Sequence, residues 1–588
     1  MCGIIGLVNE EKLPRGEDFA KSLATLSKRG PDDSGVSRFR NAILGHTRLA
    51  IVDLTDAGHQ PMKDAAREQT IVFNGEIYNY PELREELMQL GHTFVSHSDT
   101  EVILKAYTQW GKECTDHLDG QFAFAIWDDA AQRLFLARDH FGEKPLYLAE
   151  TKDGLLFASE IKALLATGLV EPEIDPVSID NYLALSYVPP WRSMYKHITP
   201  LEPAHRAVWQ NGKLAKERYW QLTQEPSNLS REEAASKVRE IMEKSVKSRM
   251  IADVEVGAFL SGGMDSSIVV RLAQKLTDKK LKTFSAGFED TINELPYARE
   301  VAELAGTEHT EAQMHEDLLL TFKTVTAYFD EPFADSSNVP TTLISKLARQ
   351  KVKVVLSGDG GDELFWGYGQ YTRYRNLPKI ETLYNTLLGK DAFDYYRSSL
   401  LTYFSPSERG RLLKDHSVIE KDPTEHIDYS QATTPLQKIN LTDFYMGLPG
   451  DMLAKVDRAS MSQSLEVRSP FLNSALAQLA YNLPAEYKSD GRRGKVLFKD
   501  AFGDLLPQDF FTRKKQGFGA PVFEWLQKPE VKKYVEEIFN DSPRIATYLN
   551  IDTVRNYVER LYAGDRSLKY KVWLLVVLET WIRSRTVL

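Results

Sequence analysis

VEVGAFLSGGMDSSIVVRLAQKL, residues 254–276, sets the architecture of the longer part of this chain. An apolar, β-branched run is followed by a Ser-Gly-Gly turn and then by an apolar helical pattern. The same texture recurs twice. LKTFSAGF (281–288) precedes the helical YAREVAELAG (297–306), and KVKVVLSG (351–358) precedes DGGDELFWGY (359–368). Strands alternating with helices predict a parallel, doubly wound sheet. The turn itself suits phosphate: glycines let the backbone approach an anion, and the N-terminus of the following helix favours one. It is not a Walker A loop, because no lysine follows the second glycine. Asp265 places a carboxylate beside that anion site, which calls for a cation, and Mg²⁺ bridging a pyrophosphate is the obvious one. Taken as a bare string, Gly-Gly in a strand–helix turn is commonplace.

Upstream, Ser230 and Glu233 have the spacing of a capping box that opens a helix. The polar, proline-containing QLTQEPSNLS (221–230) reads as a linker. Residues 1–220 are rich in short β-type runs: IIGLV, AILGHTRLAIVDL, TIVFNGEIYNY, FAFAIWD, RLFLARD, PLYLAE, GLLFASE and HRAVWQNGKL. Hairpin signals such as Asp153-Gly154 and Asn211-Gly212 separate several of them. Helical patterns occur near 17–28 and 81–91. This half predicts layered α/β structure with mainly antiparallel sheets. Residues 371–588 read as mostly helical, without repeats or low-complexity segments.

A chain of 588 residues is too long for one core, so two domains are expected: 1–220 and 231–588, joined by 221–230. The net charge of −10, with no long Lys/Arg stripe, argues against nucleic acid as a partner. Two cysteines, Cys2 and Cys114, supply neither a disulfide framework nor a zinc-ligand set, which fits a reducing, cytoplasmic setting. The start has no basic n-region. The longest late apolar run, Val572 to Leu578, is far too short to span a membrane and reads as buried helix.

Cys2 stands out. Removal of Met1 leaves a residue with a thiol and a free α-amine; an amine of pKa about 8 can act as base for its own side chain. Alternatively, Cys2 is a small apolar residue starting a buried strand. Arg48, a lone cation in an apolar run, suits a carboxylate. Asn74 and Gly75 offer an amide and a close backbone N–H, the chemistry of an oxyanion hole. Asp99 suits an amino group. Each alone reads as a turn or a surface ion pair; together they can hold a free amino acid and hydrolyse its side-chain amide.

Cys-Gly-Ile (2–4), RGPDDSG (29–35), GHTRLAIVD (45–53), FNGEIYN (73–79), SDTE (98–101), DGQFAFAIWD (119–128) and ARDHFGEKPLY (137–147) resemble the class II glutamine amidotransferases. The resemblance implies an N-terminal-nucleophile hydrolase with a four-layer α/β/β/α sandwich. It makes Cys2 the nucleophile and Asn74 and Gly75 the oxyanion donors. Arg48, Ile51, Val52, Asn74, Gly75, Glu76 and Asp99 then surround the glutamine, and Cys114 is structural.

SGGMDSS (261–267), NELPYAREVAELAG (293–306) and LSGDGGDELFWGY (356–368) resemble the ATP pyrophosphatases. By that resemblance Leu260, Ala286, Ser357 and Gly358 lie on the adenosine side of an ATP site. Ser261, Gly262, Gly263, Asp265, Ser266 and Ser267 surround the pyrophosphate, and Asp265 and Asp362 ligate Mg²⁺. The two halves in this order resemble the glutamine-hydrolysing asparagine synthetases. DEPFADSSNVPTTLISKLA (330–348), KVDRASMSQSLEVRSPFLN (455–473), GRRGKVLFKDAF (491–502) and RKKQGFGAPV (513–522) extend the likeness to the end. It implies small-molecule substrates (glutamine, ATP and aspartate or another carboxylate) and a homodimer. Lys495 becomes the group that stabilises charge on an acyl-adenylate, although as sequence it reads equally as a solvated basic face. Lys455, Asp457 and Arg458 become acceptor or pyrophosphate contacts. Two departures concern the acceptor. Asp359 stands where the family carries Glu and serves as its shorter catalytic counterpart, and Lys455 stands where the family places Arg, losing a bidentate fork. A carboxylated sugar or a diaminopimelate side chain is therefore the alternative acceptor.

Overall fold

Side-chain alternation builds the first half. Its strands are β1 (Gly3–Asn9), β2 (Asp33–Arg38), β3 (Ala42–Arg48), β4 (Met62–Asp64), β5 (Gln69–Ile77) and β6 (Gly120–Asp128). They are followed by β7 (Arg133–Arg138), β8 (Tyr147–Thr151), β9 (Gly154–Ala158), β10 (Thr199–Pro200), β11 (His205–Gln210) and β12 (Lys213–Arg218). Two antiparallel sheets result, ordered β10-β8-β9-β1-β3-β2 and β12-β11-β7-β6-β5-β4. The computed structural model describes all residues except 10–12, 65, 226, 288–293, 314–317, 377–390, 401–402, 514–519 and 586–588.

On β1, Ile4 and Val8 face the layer between the sheets, whereas Ile5 and Leu7 face outward. On β5, Val72 faces in, and Ile71 and Phe73 face out. A slip of one residue would reverse every such pair, so burial on both faces fixes the register. Helices Gly16–Ala24 and Ile161–Leu165 cover the outer face of the first sheet. Tyr80–Gln89 and Asp99–Trp110 cover that of the second. The result is the four-layer α/β/β/α sandwich.

The period of two also places polar residues. Cys2 continues the inward set of β1, Asn74 and Glu76 continue that of β5, and Gln121 continues the inward Ala123 and Ala125 of β6. The apolar layer between the sheets thus ends in a polar cluster at one rim.

The second half holds β13 (Val256–Phe259), β14 (Lys282–Gly287), β15 (Glu308–Gln313), β16 (Val354–Leu356) and β17 (Glu466–Arg468). All pair in parallel, in the order β15-β14-β13-β16-β17. Helices Arg231–Arg249, Met264–Lys275 and Leu295–Ala305 pack on one face, and Asn338–Arg349 on the other. The chain reverses direction between β13 and β16, and ligands of such sheets bind at the strand ends beside that reversal.

Several expectations need amending. The sequence showed two helices in the first half; the structure adds Asp99–Trp110, Pro176–Leu185 and Ile161–Leu165. The first two are buried on most sides, so no polar stripe marks their period. The tail beyond 371 is mostly helical, but Glu466–Arg468 leaves that pattern to join the sheet. A π-helical stretch, Asp443–Leu453, leads directly into the helix Ala454–Met461. Ser230 and Glu233 do form the capping box. The run Val572–Leu578 lies buried within helix Lys569–Arg585, and among the described residues no helix is long and apolar enough to cross a membrane. Pro226, Phe288, Asn293 and residues 514–519, parts of four quoted stretches, lie outside the described residues.

Candidate active sites

Cys2 opens β1 at the polar rim and is 7% exposed. Its backbone N–H donates to Asn74 Oδ1 at 2.9 Å. The other end of that amide, Nδ2, is buried and has no hydrogen-bond partner among the described residues. A buried donor left unpaired costs about 1–3 kcal/mol, so an amide held this way is poised for an incoming acceptor. Gly75 follows it. A Cβ there would lie 2.1 Å from Gln121 O on the neighbouring strand, so only glycine fits.

One cavity is lined by Met1, Cys2, Arg48, Ile51, Val52, Gly75, Glu76 and Asp99, among others. The structure therefore brings the predicted glutamine residues together, with Asn74 joined through Cys2. Arg48 spends its donors on backbone oxygens: Thr55 O at 3.1 Å, Val52 O at 3.3 Å and Asp53 O. Carbonyls orient the guanidinium without neutralising it. Asp99 begins helix Asp99–Trp110 and accepts from Ile77 N–H at 3.0 Å. Burial pushes its carboxyl up to about 6. Burial likewise raises the Cys2 thiol, against the pull of the N-terminal ammonium and Arg48. Cys114 is fully buried in the apolar layer behind β5 and β6, away from this cavity.

One wall of the cavity comes from the second half of the chain. Glu466 of β17 lines the cavity, with its Oε2 2.9 Å from the Met1 ammonium, and both groups are 0% exposed. Arg468 binds Glu466 at 2.6 Å and Glu76 at 2.9 Å, and its Nη1 donates to Arg249 O and Ile251 O. Neither residue was picked out in the sequence; three residues of strand inside a helical tail show no period. Glu76, read as a glutamine contact, does line the cavity but is also tied to Arg468.

At the carboxyl ends of β13, β14 and β16 lie Leu260, Ala286, Ser357 and Gly358. The loop Ser261-Gly262-Gly263 leads into helix Met264–Lys275. Gly262 has φ +74°, and a Cβ on it would meet the helix Leu295–Ala305 backbone at 2.5 Å. Ser261 and Ser266 hydroxyls are 3.1 Å apart, and the Ser267 hydroxyl is buried without a hydrogen-bond partner among the described residues. Asp265 and Asp362 converge on Lys495 Nζ, at 2.5 and 2.6 Å. Burial opposes the Lys495 charge, but the two carboxylates outweigh it and hold the ammonium above its usual range. Lys495 is thus part of the carboxylate cluster and no solvated face. Two carboxylates that already share one cation form an oxygen-donor set suited to a hard divalent ion.

The trio Lys455, Asp457 and Arg458 does not act as one group. Lys455 Nζ lies 3.1 Å from Asp335 Oδ2, with Asp451 and Asp359 also acting on its charge. Burial raises Asp359, while Ser357 and Lys455 pull it down; burial and Asp335 push Asp451 up to about 7. Asp457 is instead held by Arg29 at 2.8 and 3.0 Å, and Arg29 Nε also donates to Cys2 O at 3.0 Å. Arg458 pairs with Glu331 at 2.6 Å and with the Tyr147 hydroxyl. Expected as acceptor contacts, Asp457 and Arg458 are occupied in bonding to the first half of the chain or beside it. The sequence could not reveal this, since the partners lie hundreds of residues away.

A buried thiol beside a polar cavity and a glycine-rich strand–helix loop thus occur in one chain, with Glu466 of the second half lining the cavity of the first. The chain matches the glutamine amidotransferase domain family over residues 1–220 and the asparagine synthase family over residues 237–583. It belongs to the asparagine synthase family, as a glutamine-dependent amidotransferase and ligase of that family. It is 32% identical to asparagine synthetase (glutamine-hydrolyzing) 1 of Bacillus subtilis strain 168, covering 99% of this chain and 96% of that one. Identity to asparagine synthetase (glutamine-hydrolyzing) 3 of the same organism is also 32%, covering 90% and 89%. Amidase chry2 of Gibberella zeae is 30% identical over 63% of this chain and 60% of its own length.

Proposed function

We propose that this chain makes asparagine: glutamine is hydrolysed at Cys2, and the ammonia amidates an acyl-adenylate formed from aspartate and ATP. Glutamate, AMP and pyrophosphate are the other products. In the first site Arg48 takes the glutamine carboxylate and Asp99 its ammonium. The Cys2 α-amine, freed by loss of Met1, accepts the thiol proton. Sulfur attacks the amide carbon while Asn74 Nδ2 and Gly75 N–H receive the oxyanion. The C–N bond breaks, the amine returns its proton to the leaving nitrogen, and water then hydrolyses the thioester to glutamate.

In the second site an acceptor carboxylate attacks the α-phosphorus of ATP and pyrophosphate leaves. The loop 261–267 receives the phosphates through backbone N–H groups and its serine hydroxyls. Asp265 and Asp362 would hold Mg²⁺, whose contribution when bound is neutralisation of phosphate charge. Lys495 stabilises charge on the adenylate and on the adduct formed when ammonia attacks. Ammonia then displaces AMP. Because free ammonia is mostly ammonium near neutral pH, an enclosed passage preserves its nucleophilicity.

The observation that carries aspartate as acceptor is the surround of Lys455. One ammonium faces three carboxylates, Asp335, Asp359 and Asp451. A wholly anionic acceptor is repelled there, whereas an amino acid brings an ammonium of its own. A diaminopimelate side chain, itself an amino acid, shares that feature; a carboxylated sugar does not. We place the reaction in the cytoplasm. The test supplies glutamine, MgATP and aspartate and measures asparagine, AMP and pyrophosphate, which should appear in equal amounts. Pyrophosphate release with another acid but none with aspartate would refute it.

A further inference from the structure

We infer that Glu466 is an ammonia-binding residue: the place held by the Met1 ammonium marks where ammonia released at Cys2 is first received. This rests on the function proposed above. Met1 N is a nitrogen bearing N–H donors, buried 2.9 Å from Glu466 Oε2, in the cavity that Cys2 also lines. It stands in for a molecule of the same donor chemistry. Removal of Met1 frees the nucleophile's amine and takes away the partner of Glu466 Oε2. A buried carboxylate oxygen is then left facing the cavity one residue from the thiol, and such an oxygen calls for a new donor.

The charge balance suits a neutral guest. Glu466 and Glu76 are matched by Arg468, bonded to both, and by Lys144, which acts on Glu466 and lies 4.0 Å from Asp457. Without Met1, Glu466 keeps Arg468 as its counter-charge at 2.6 Å, so the position accepts an N–H donor without demanding a second cation. Against burial, the Met1 ammonium, then Arg468 and Lys144, pull the Glu466 carboxyl below its usual range. Arg468, bonded to it at 2.6 Å, stays in place once Met1 is gone, and the carboxylate so held accepts hydrogen bonds.

The surroundings are also prepared for small polar molecules. Beyond Glu76 on the same face, the Tyr78 hydroxyl and both ends of the Gln121 amide are buried without a hydrogen-bond partner among the described residues.

The experiment follows nitrogen. The full chain, shown by mass to begin at Cys2, is given glutamine labelled with ¹⁵N in its amide, MgATP, aspartate and an excess of unlabelled ammonium. The ratio of labelled to unlabelled product measures how well released ammonia is retained, whatever the hydrolysis rate. The unaltered chain should give mostly labelled product. Glu466→Leu should lower the ratio about tenfold or more, the worth of a hydrogen bond to a charged group. Glu466→Gln, which keeps an acceptor of the same size, should fall between. An unchanged ratio in Glu466→Leu overturns the inference. Should that variant form no product even from ammonia, Glu466→Gln decides: retention equal to the unaltered chain overturns it, and a lowered ratio supports it. An unaltered chain that forms no asparagine refutes the function itself, an outcome distinct from retention that survives loss of Glu466.

Discussion

Truncating Asn74 to alanine should separate catalysis from folding. In the resting chain its amide makes one bond, from Cys2 N–H to Oδ1 at 2.9 Å, while Nδ2 is buried and unpaired. The bond contributes about 0.5–1.5 kcal/mol, and the orphaned donor costs about 1–3 kcal/mol. Alanine removes both terms, so they largely cancel; the small void left adds about 1 kcal/mol. Stability should therefore change by about 1–2 kcal/mol at most, a melting shift of a few degrees. The oxyanion meets a different balance. It loses a donor that has no other duty, and removal of one such donor lowers kcat by about 10²–10³, or about 2.7–4 kcal/mol. Glutamate release at saturating glutamine is the assay, beside a melting curve and ammonia-dependent pyrophosphate release. Asn74→Asp keeps the acceptor but sets an anion against the oxyanion, so its kcat should fall below that of alanine. A loss under about tenfold, against the 10²–10³ expected of an oxyanion donor, would show that the amide does not face the reacting oxygen. A collapse in melting temperature would show that its role is structural.

Gly75→Ala should be more damaging to stability, about 1–3 kcal/mol from overpacking, because its Cβ would lie 2.1 Å from backbone oxygen on β6; a melting curve unchanged from wild type contradicts the close approach. The value of kcat/KM for glutamine should fall as pH drops through about 6, since Asp99 holds an ammonium only when ionised and burial has raised its carboxyl to that range. Asp99→Asn should abolish that inflection along with most activity, and a profile flat from pH 7 to 5 in the unaltered chain counts against the assignment. Lys495→Met leaves Asp265 and Asp362 without their shared cation, at a cost of about 3–5 kcal/mol. Mg²⁺ should then raise the melting temperature of this variant more than that of the parent. Pyrophosphate release should fail while glutamine hydrolysis continues, and equal Mg²⁺ shifts would deny the two carboxylates a cation site.

What the sequence revealed and what it hid divide along a physical line. Cys2, Asn74 and Gly75 were readable because backbone chemistry ties them locally: a strand start, an inward position of period two and a glycine where strands touch. The Ser-Gly-Gly turn was readable because strand, turn and helix follow within 23 residues of one another. The ion pairs of Asp457 and Arg458 were hidden for the opposite reason. Their chemistry is set by Arg29 and Glu331, and charge alone does not tell a substrate contact from an ion pair closed across the fold. Lys495 looked solvated because a lysine between glycine and valine carries no sign of the two carboxylates that enclose it. Helix Asp99–Trp110 was missed because burial on nearly every side erased the polar stripe that periodicity needs.

The strand Glu466–Arg468 has a consequence for modularity. Its middle residue, Val467, belongs to the second half's own core, while Glu466 lines the cavity of the first half and Arg468 holds Glu466 and Glu76. A cut within 221–230 would leave the glutaminase half without Arg468, the partner of Glu76, and without Glu466. The synthetase half would meanwhile keep the Glu466–Arg468 pair on its sheet edge but lose the partners of both, Met1 and Glu76. Transplanting a glutaminase from a relative would face the same obstacle unless this strand travelled with it. Three residues of β-structure make the two halves a single inheritable unit, in which the catalyst of the first cannot be exchanged without the last strand of the second.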